Sequence, residues 1–382
     1  MATKTSIRSG AGYFLYHSIG MFPEKERVIS EALADFSSIW GCPNDEQWPQ
    51  VLNLRSRFIQ HWAEIIAADP ACVTTAENVT SGLYSIIGSL EKEAIKGKRV
   101  LIAADCFPSL HFLLQALQER FGFQLDTVPL RAGESWVRDE DFIARWQDDV
   151  GVALITFVTS IASHRPQLDL LFEHGRKQGS IIGVDITQGV GIVPFDVNQP
   201  KADFVVSTTL KWLGGAPGAG IIYVRDGLMQ KCTPEFRGWF SQENFMSWDL
   251  DAFEFARDAR RFDHGTPSSV AAVASVPALQ WHLEQDPNLM LAHNRKLVDI
   301  LMNELPPMGL DCASPEAAER RGGSVMFRLP QNIVASEVVD GLRDGGVYID
   351  ARGQILRLSP GNVTTEEGVE KALSLLQGLI KI

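Results

Sequence analysis

The chain of 382 residues has only five cysteines, Cys42, Cys72, Cys106, Cys232 and Cys312. They are widely spaced, odd in number and form no Cys-x-x-Cys pair, which argues against a disulfide framework or a zinc knuckle. Basic charge is also short. Lys and Arg total 35 against 47 Asp and Glu, a formal net charge of −12. Nucleic acids and anionic membranes both attract basic surfaces, so neither partner is expected. No apolar run reaches the ~18 residues that a membrane span needs. Repeats and low-complexity linkers are missing as well. The amino-terminal stretch sets Lys4 and Arg8 before an apolar patch, but Gly12, His17 and Gly20 interrupt it. No small-residue cleavage site follows, so a secretory leader is not expected and a reducing cytoplasm is the expected compartment. His17, His111, His164 and His264 lack any mutual ligand spacing, and no metal is expected. The run GGAPGAG at 214–220 lacks the Lys-Ser ending of a nucleotide P-loop.

What is present is ordinary globular composition, 45% hydrophobic and 21% charged. Val- and Ile-rich runs recur at 72–79, 99–105, 123–130, 151–158, 180–186, 202–208 and 219–224. Nearly continuous apolar runs are how strands covered on both faces read. Helical stretches separate them; 110–122 keeps helical spacing and ends on Gly122. The alternation predicts an α/β large domain over 46–262, with a mostly parallel seven-stranded sheet flanked by helices. Residues 230–267 are dense in aromatics and charges, fitting either a segment over a site or irregular packing. A helical stretch at 269–304 follows, then runs at 322–330, 346–350 and 354–360 with helices near 335–344 and 365–380. These predict a smaller α+β domain over 263–382, with 1–45 packing on it.

In an open α/β sheet, ligands bind beyond the carboxyl ends of the strands. Residues there include Thr80 and Ser81 after the first run, Phe107 after the second, Asp185 and Gln188 after the fifth, and Thr208 and Lys211 after the sixth. Taken singly, each has a plain reading. Asp185 fits a helix N-cap, the Thr and Ser residues fit caps or turns, Phe107 fits a core position, and Lys211 fits a surface lysine.

Taken together, the motifs YHSIGMFP (16–23), NVTSGL (78–83), FPSLHF (107–112), DITQGVGIVPFD (185–196), STTLKWLGGAPGAGIIYV (207–224), GWF (238–240), RRFDHGTP (260–267) and DARGQILRLSP (350–360) stand in an order that resembles the fold-type-I pyridoxal-phosphate (PLP) enzymes. The likeness is to the class V aminotransferase group, and within it to kynureninases. The resemblance implies PLP held as a Schiff base on Lys211, with the Asp185 carboxylate against the pyridine nitrogen. It implies Thr80, Ser81 and Thr208 at the phosphate, Phe107 on the ring face, Gln188 at the 3′-oxygen and Trp239 in contact with the cofactor. Thr266 would reach the cofactor phosphate of a neighbouring subunit, which makes a homodimer with shared sites the expected assembly. Arg357 would clamp the α-carboxylate of an amino acid substrate. Arg352 matches a further position, as a substrate contact or a structural ion pair.

The sequence departs from kynureninases at several points. Gln188 stands where they have histidine, Leu210 where a tyrosine precedes the lysine, 162–165 where they have Tyr-Thr-Gly-Gln, and Ser241-Gln242 where Gly-His follows GWF. No cysteine lies between Val325 and Arg357, where a desulfurase thiolate would be needed. The expectation is therefore an aminotransferase. A kynureninase-like hydrolase, or a C–S or C–C lyase on an altered substrate, is the alternative, and a non-catalytic binding module of the same fold is a second.

Overall fold

All seven Val- and Ile-rich runs become strands of one sheet in the computed structural model, which describes residues 10–380. Lys4 and Arg8 of the amino-terminal stretch lie outside the described residues. The strands are β1 (Val73–Ala76), β2 (Arg99–Ala103), β3 (Gln124–Val128), β4 (Val150–Thr156), β5 (Ile181–Asp185), β6 (Phe204–Thr208) and β7 (Gly220–Val224). Their order is β1-β7-β6-β5-β4-β2-β3. Strands β3, β2, β4, β5 and β6 pair in parallel. Only β7 is reversed, antiparallel to both β6 and β1. The carboxyl ends of the other six strands therefore share one edge. Every residue of β4, β6 and β7 is buried, which is why these segments carry apolar residues on both faces rather than alternating.

The amino-terminal helices are α1 (Lys25–Trp40) and α2 (Gln47–Ile65). Between the strands lie α3 (Val79–Ile87), the one-turn α4 (Lys92–Ile95), α5 (Pro108–Phe121), α6 (Asp139–Arg145), α7 (Leu168–Gln178) and the one-turn α8 (Asp226–Met229). Helix α5 has Pro108 in its first turn, where no partner for an N–H is needed. It stops at Gly122, whose φ of 71° a side chain would resist. The predicted helical stretch at 269–304 is two helices, α9 (Val270–Leu283) and α10 (Pro287–Glu304). Pro287 starts the second, and the Asp286 carboxylate caps it by accepting the Asn288 N–H at 2.8 Å.

A second sheet is antiparallel throughout, in the order β10-β11-β9-β8. Its strands are β8 (Asp311–Cys312), β9 (Val325–Arg328), β10 (Asp350–Arg352) and β11 (Ile355–Leu358), with α11 (Ala335–Asp344) and α12 (Glu366–Leu379) beside them. Two apolar cores result. One gathers Trp62, Leu110, Val152, Val184, Val206 and Leu279. The other gathers Phe14, Leu301, Phe327, Leu342, Leu356 and Leu376.

The chain near its start links the two sheets. Tyr13 and Leu15 bridge to Tyr348 and Ser359 of the smaller sheet region. The Gly20 N–H then donates to the Leu210 carbonyl at 3.0 Å. Gly20 is needed there because a Cβ would sit 2.0 Å from the carbonyl oxygen of Lys211. Residues 230–267 form turns and two short 3-10 segments, Trp239–Ser241 and Ala259–Phe262. Met246, Trp248 and Leu250 of this stretch are exposed. No helix among the described residues is long and apolar enough to cross a membrane.

Candidate active site

A cavity of about 1530 Å³ opens at the carboxyl ends of the strands. Eight residues singled out from the sequence line it: Thr80, Ser81, Phe107, Asp185, Gln188, Thr208, Lys211 and Thr266. Each arrives by a local rule. Asp185 is the last residue of β5 and pairs in register with Thr156 of β4. Thr208 is the last residue of β6, and Lys211 lies in the turn between β6 and β7. Phe107 precedes the first turn of α5 and projects 43% exposed. Thr266 sits exposed in the loop before α9.

Asp185 is 5% exposed, and one of its oxygens accepts the Thr187 N–H at 3.0 Å. Burial pushes its carboxyl above the usual range, while Thr187 and Lys211 oppose the rise. The Lys211 amine is lowered to about 8 by burial; Asp185 works against that change and Arg357 adds to it. The amine lies 5.1 Å from the centroid of the Phe107 ring. Among the described residues it has no hydrogen-bond or ion-pair partner. Thr187, also on the cavity, is buried beside Asp185. Amine and carboxylate thus face one space, and each shifts the other's titration.

Helix α3 points its first turn at the same cavity. Asn78 caps it, accepting the Ser81 N–H at 3.0 Å, and the Ser81 hydroxyl returns a contact to the Asn78 N–H at 3.2 Å. This capping box occupies the Ser81 amide. The amides of Val79 and Thr80 belong to the first turn and have no intrahelical partner. Gln188 is 7% exposed and donates from Nε2 to the His17 carbonyl at 3.1 Å.

Three residues singled out from the sequence are not on the cavity lining. Trp239 is 38% exposed and packs edge-on against Phe240, with ring centroids 4.5 Å apart. Arg352 is exposed, 3.7 Å from an Asp350 oxygen. Arg357 is buried behind the cavity wall. Its Nε donates to Asp350 Oδ1 at 2.8 Å and its Nη2 to Oδ2, while Nη1 reaches the carbonyl of Ser160, a lining residue, at 3.4 Å. The sequence reading missed this carboxylate and its second partner, His17, whose Nε2 lies 3.0 Å from Asp350 Oδ1. Both residues stand within motifs already quoted, but nothing in their spacing announces a contact. Of the positions that depart from kynureninases, Leu210 lines the cavity, whereas His164 is buried elsewhere, stacked on Trp136 at 5.3 Å.

A family model described as aminotransferase class-V matches residues 57–370. The chain belongs to that family. Among curated relatives of this class-V chain, it is 24% identical to a kynureninase of Geobacillus thermodenitrificans over 333 residues, covering 84% of this chain and 76% of the relative. It is also 24% identical to an uncharacterised aminotransferase of Bacillus subtilis over 348 residues, covering 90% and 89%. Among solved structures, a cystine C–S lyase in complex with cysteine persulfide superposes with a TM-score of 0.85 at 19% identity, covering 98% of this chain and 99% of that one. The fold is therefore shared even where sequence has drifted far.

Proposed function

We propose that this class-V chain is a PLP-dependent aminotransferase acting on an α-amino acid, with Lys211 carrying the cofactor and Asp185 facing its ring nitrogen. One observation carries the reading. A buried amine without a hydrogen bond shares a cavity with a buried carboxylate whose neighbouring cation is that amine. A buried carboxylate costs several kcal/mol unless a cation compensates it, and a pyridinium nitrogen is such a cation.

The other residues fit the same group. The open amides of Val79 and Thr80 at the start of α3, with the Thr208 hydroxyl, make an anion cradle for a phosphate. The Phe107 face suits an aromatic ring, and Gln188 and the Thr187 hydroxyl supply polar contacts. Bound there, PLP supplies an electron sink that stabilises negative charge at the substrate α-carbon. This chain's residues do the rest. With its basicity lowered by burial, Lys211 Nζ would take a proton from the α-carbon and hand it to the bound cofactor, since return to the same carbon would only racemise the substrate. Asp185 would favour positive charge on the ring nitrogen. Arg357 orients the α-carboxylate, and a planar fork fixes direction as well as charge. Thr266, exposed at the mouth, and the exposed Met246, Trp248 and Leu250 fit a homodimer in which Thr266 serves the partner's site.

C–S cleavage by way of a persulfide carried on an enzyme cysteine is disfavoured, because no cysteine is among the described residues lining the cavity; Cys312 opens on a separate pocket. The test is a screen of amino donors that follows the visible band of the loaded protein. Keto acid formed together with an amine-form cofactor spectrum supports the reading. Ammonia or a cleaved side chain instead makes the protein a lyase or a hydrolase. A band that no amino acid perturbs makes it a binding module.

A further inference from the structure

Arg357 does not stand alone behind the cavity wall. It lies directly across the β10–β11 ladder from Asp350, and the carboxylate grips the Nε and Nη2 edge of its guanidinium. Only the Nη1 end is left toward Ser160 and the cavity. The Asp350 carboxylate is in turn gripped from its other side by His17, a residue 2% exposed. A carboxylate oxygen can only accept, so His17 Nε2 carries the proton there. His17 Nδ1 then accepts from the Ser359 hydroxyl at 2.6 Å, and Ser359 meets Ser324 at 2.6 Å. Ser359 is fully buried and Ser324 nearly so. The chain of donors thus runs in one direction, from Ser324 through Ser359 and His17 to Asp350, where it meets Arg357 arriving from the other side. Burial alone would raise the Asp350 carboxyl, yet its hydrogen bonds from His17 and Arg357 outweigh that and hold it far below the usual carboxylate range. Burial likewise favours neutral His17, against the pull of Asp350. The backbone of His17 is also tied to the cavity, through the Gln188 amide.

We propose that Asp350, locked in place by His17, is the positioning residue that fixes which edge of Arg357 is offered to a substrate α-carboxylate. The inference rests on the reading that Arg357 takes that carboxylate. An arginine has a long, rotatable stem, and holding it costs side-chain entropy. Two parallel bonds to a carboxylate that is itself held fix both the plane and the direction of the fork. With the side edge occupied, a substrate carboxylate is met end-on through Nη1 and the second Nη2 proton. The guanidinium is also never buried without a counter-charge while substrate is away. Arg352 contributes little to the latch, since it is exposed and 3.7 Å from Asp350.

The experiment compares each amino acid with the amine that lacks its carboxylate. L-alanine against ethylamine, and L-phenylalanine against phenethylamine, are titrated into the loaded protein by calorimetry and by shift of the cofactor band. The wild type, Asp350→Asn, Asp350→Glu, His17→Gln and Arg357→Ala are measured alongside their melting temperatures. Asp350→Asn and His17→Gln are expected to cut the preference for amino acid over amine roughly tenfold, within the range by which members of one hydrogen-bond network couple. Affinity for the amines stays at the wild-type level, and Asp350→Glu restores part of the preference. If Arg357→Ala leaves the preference intact, the reading of Arg357 as the clamp is wrong. If Arg357→Ala abolishes the preference while Asp350→Asn and His17→Gln keep it, the clamp stands and the positioning inference is overturned. Equal loss for amines and amino acids, tracking a fall in melting temperature, also overturns it, because that is the mark of a purely structural role. Should Asp350→Asn fail to fold, His17→Gln and Asp350→Glu decide by the same ratio.

Discussion

Replacing Lys211 by methionine in the cofactor-free protein should stabilise it, and the gain should depend on pH. Burial lowers the Lys211 amine from 10.5 to about 8, which at 1.36 kcal/mol per pKa unit amounts to about 3 kcal/mol. Below pH 8 the amine is protonated in the folded and unfolded chains alike, and the folded state bears that cost in full. Between about pH 8 and 10.5 the unfolded chain binds the proton more strongly, so wild-type stability rises with pH. Above 10.5 the amine is neutral in both states and the cost is gone. Methionine carries no charge and keeps most of the side-chain volume, so Lys211→Met escapes this penalty. Part of the gain is offset because Asp185 loses a neighbour that favours its charged form. The expected net gain is about 1–3 kcal/mol at pH 7, shrinking toward nothing by pH 10.5. Urea unfolding of the cofactor-free proteins at both pH values measures it. A methionine variant no more stable at pH 7, or one whose advantage is the same at both pH values, would refute a buried and electrostatically strained amine.

Further expectations concern the frame around the site. Arg55 donates from Nη2 to both oxygens of Asp263, at 2.9 and 3.0 Å, and both residues are buried; Arg55→Ala should cost about 3–5 kcal/mol in urea unfolding by stranding that carboxylate, and a near-wild-type midpoint would contradict it. Gly20→Ala drives a Cβ toward the Lys211 carbonyl; overpacking of about 1–3 kcal/mol together with a weakened cofactor band is expected, whereas an unchanged band would show that the segment does not brace the Lys211 turn. Phe107→Ala should weaken PLP binding by about 1 kcal/mol, the scale of one aromatic pairing, read by equilibrium dialysis; unaltered affinity would remove Phe107 from the ring face.

The strands of the large sheet were legible because both faces of β4, β6 and β7 are buried, leaving no polar alternation to confuse the runs. The residues at their carboxyl ends were legible for a related reason. Asp185 and Thr208 close apolar runs, so a polar side chain there has to face either solvent or a site. The Arg357 latch was not legible. His17 and Asp350 are 333 positions apart, and no local period brings the first turn after Tyr16 onto β10. Aromatic density in 230–267 offered no comparable guide. Ring–ring contacts lack a sequence period, and Trp239 finds Phe240 and Phe245 rather than the cavity of its own chain. The break between α9 and α10 was marked by Asp286 and Pro287, but the helical spacing on either side ran straight through it.

Borohydride reduction of the PLP-loaded protein, followed by peptide mass mapping, tests the central claim most directly. The account predicts one phosphopyridoxyl adduct, on the peptide that contains Lys211, and its loss in Lys211→Met. An adduct on another lysine, or none in protein that retains its visible band, would contradict it.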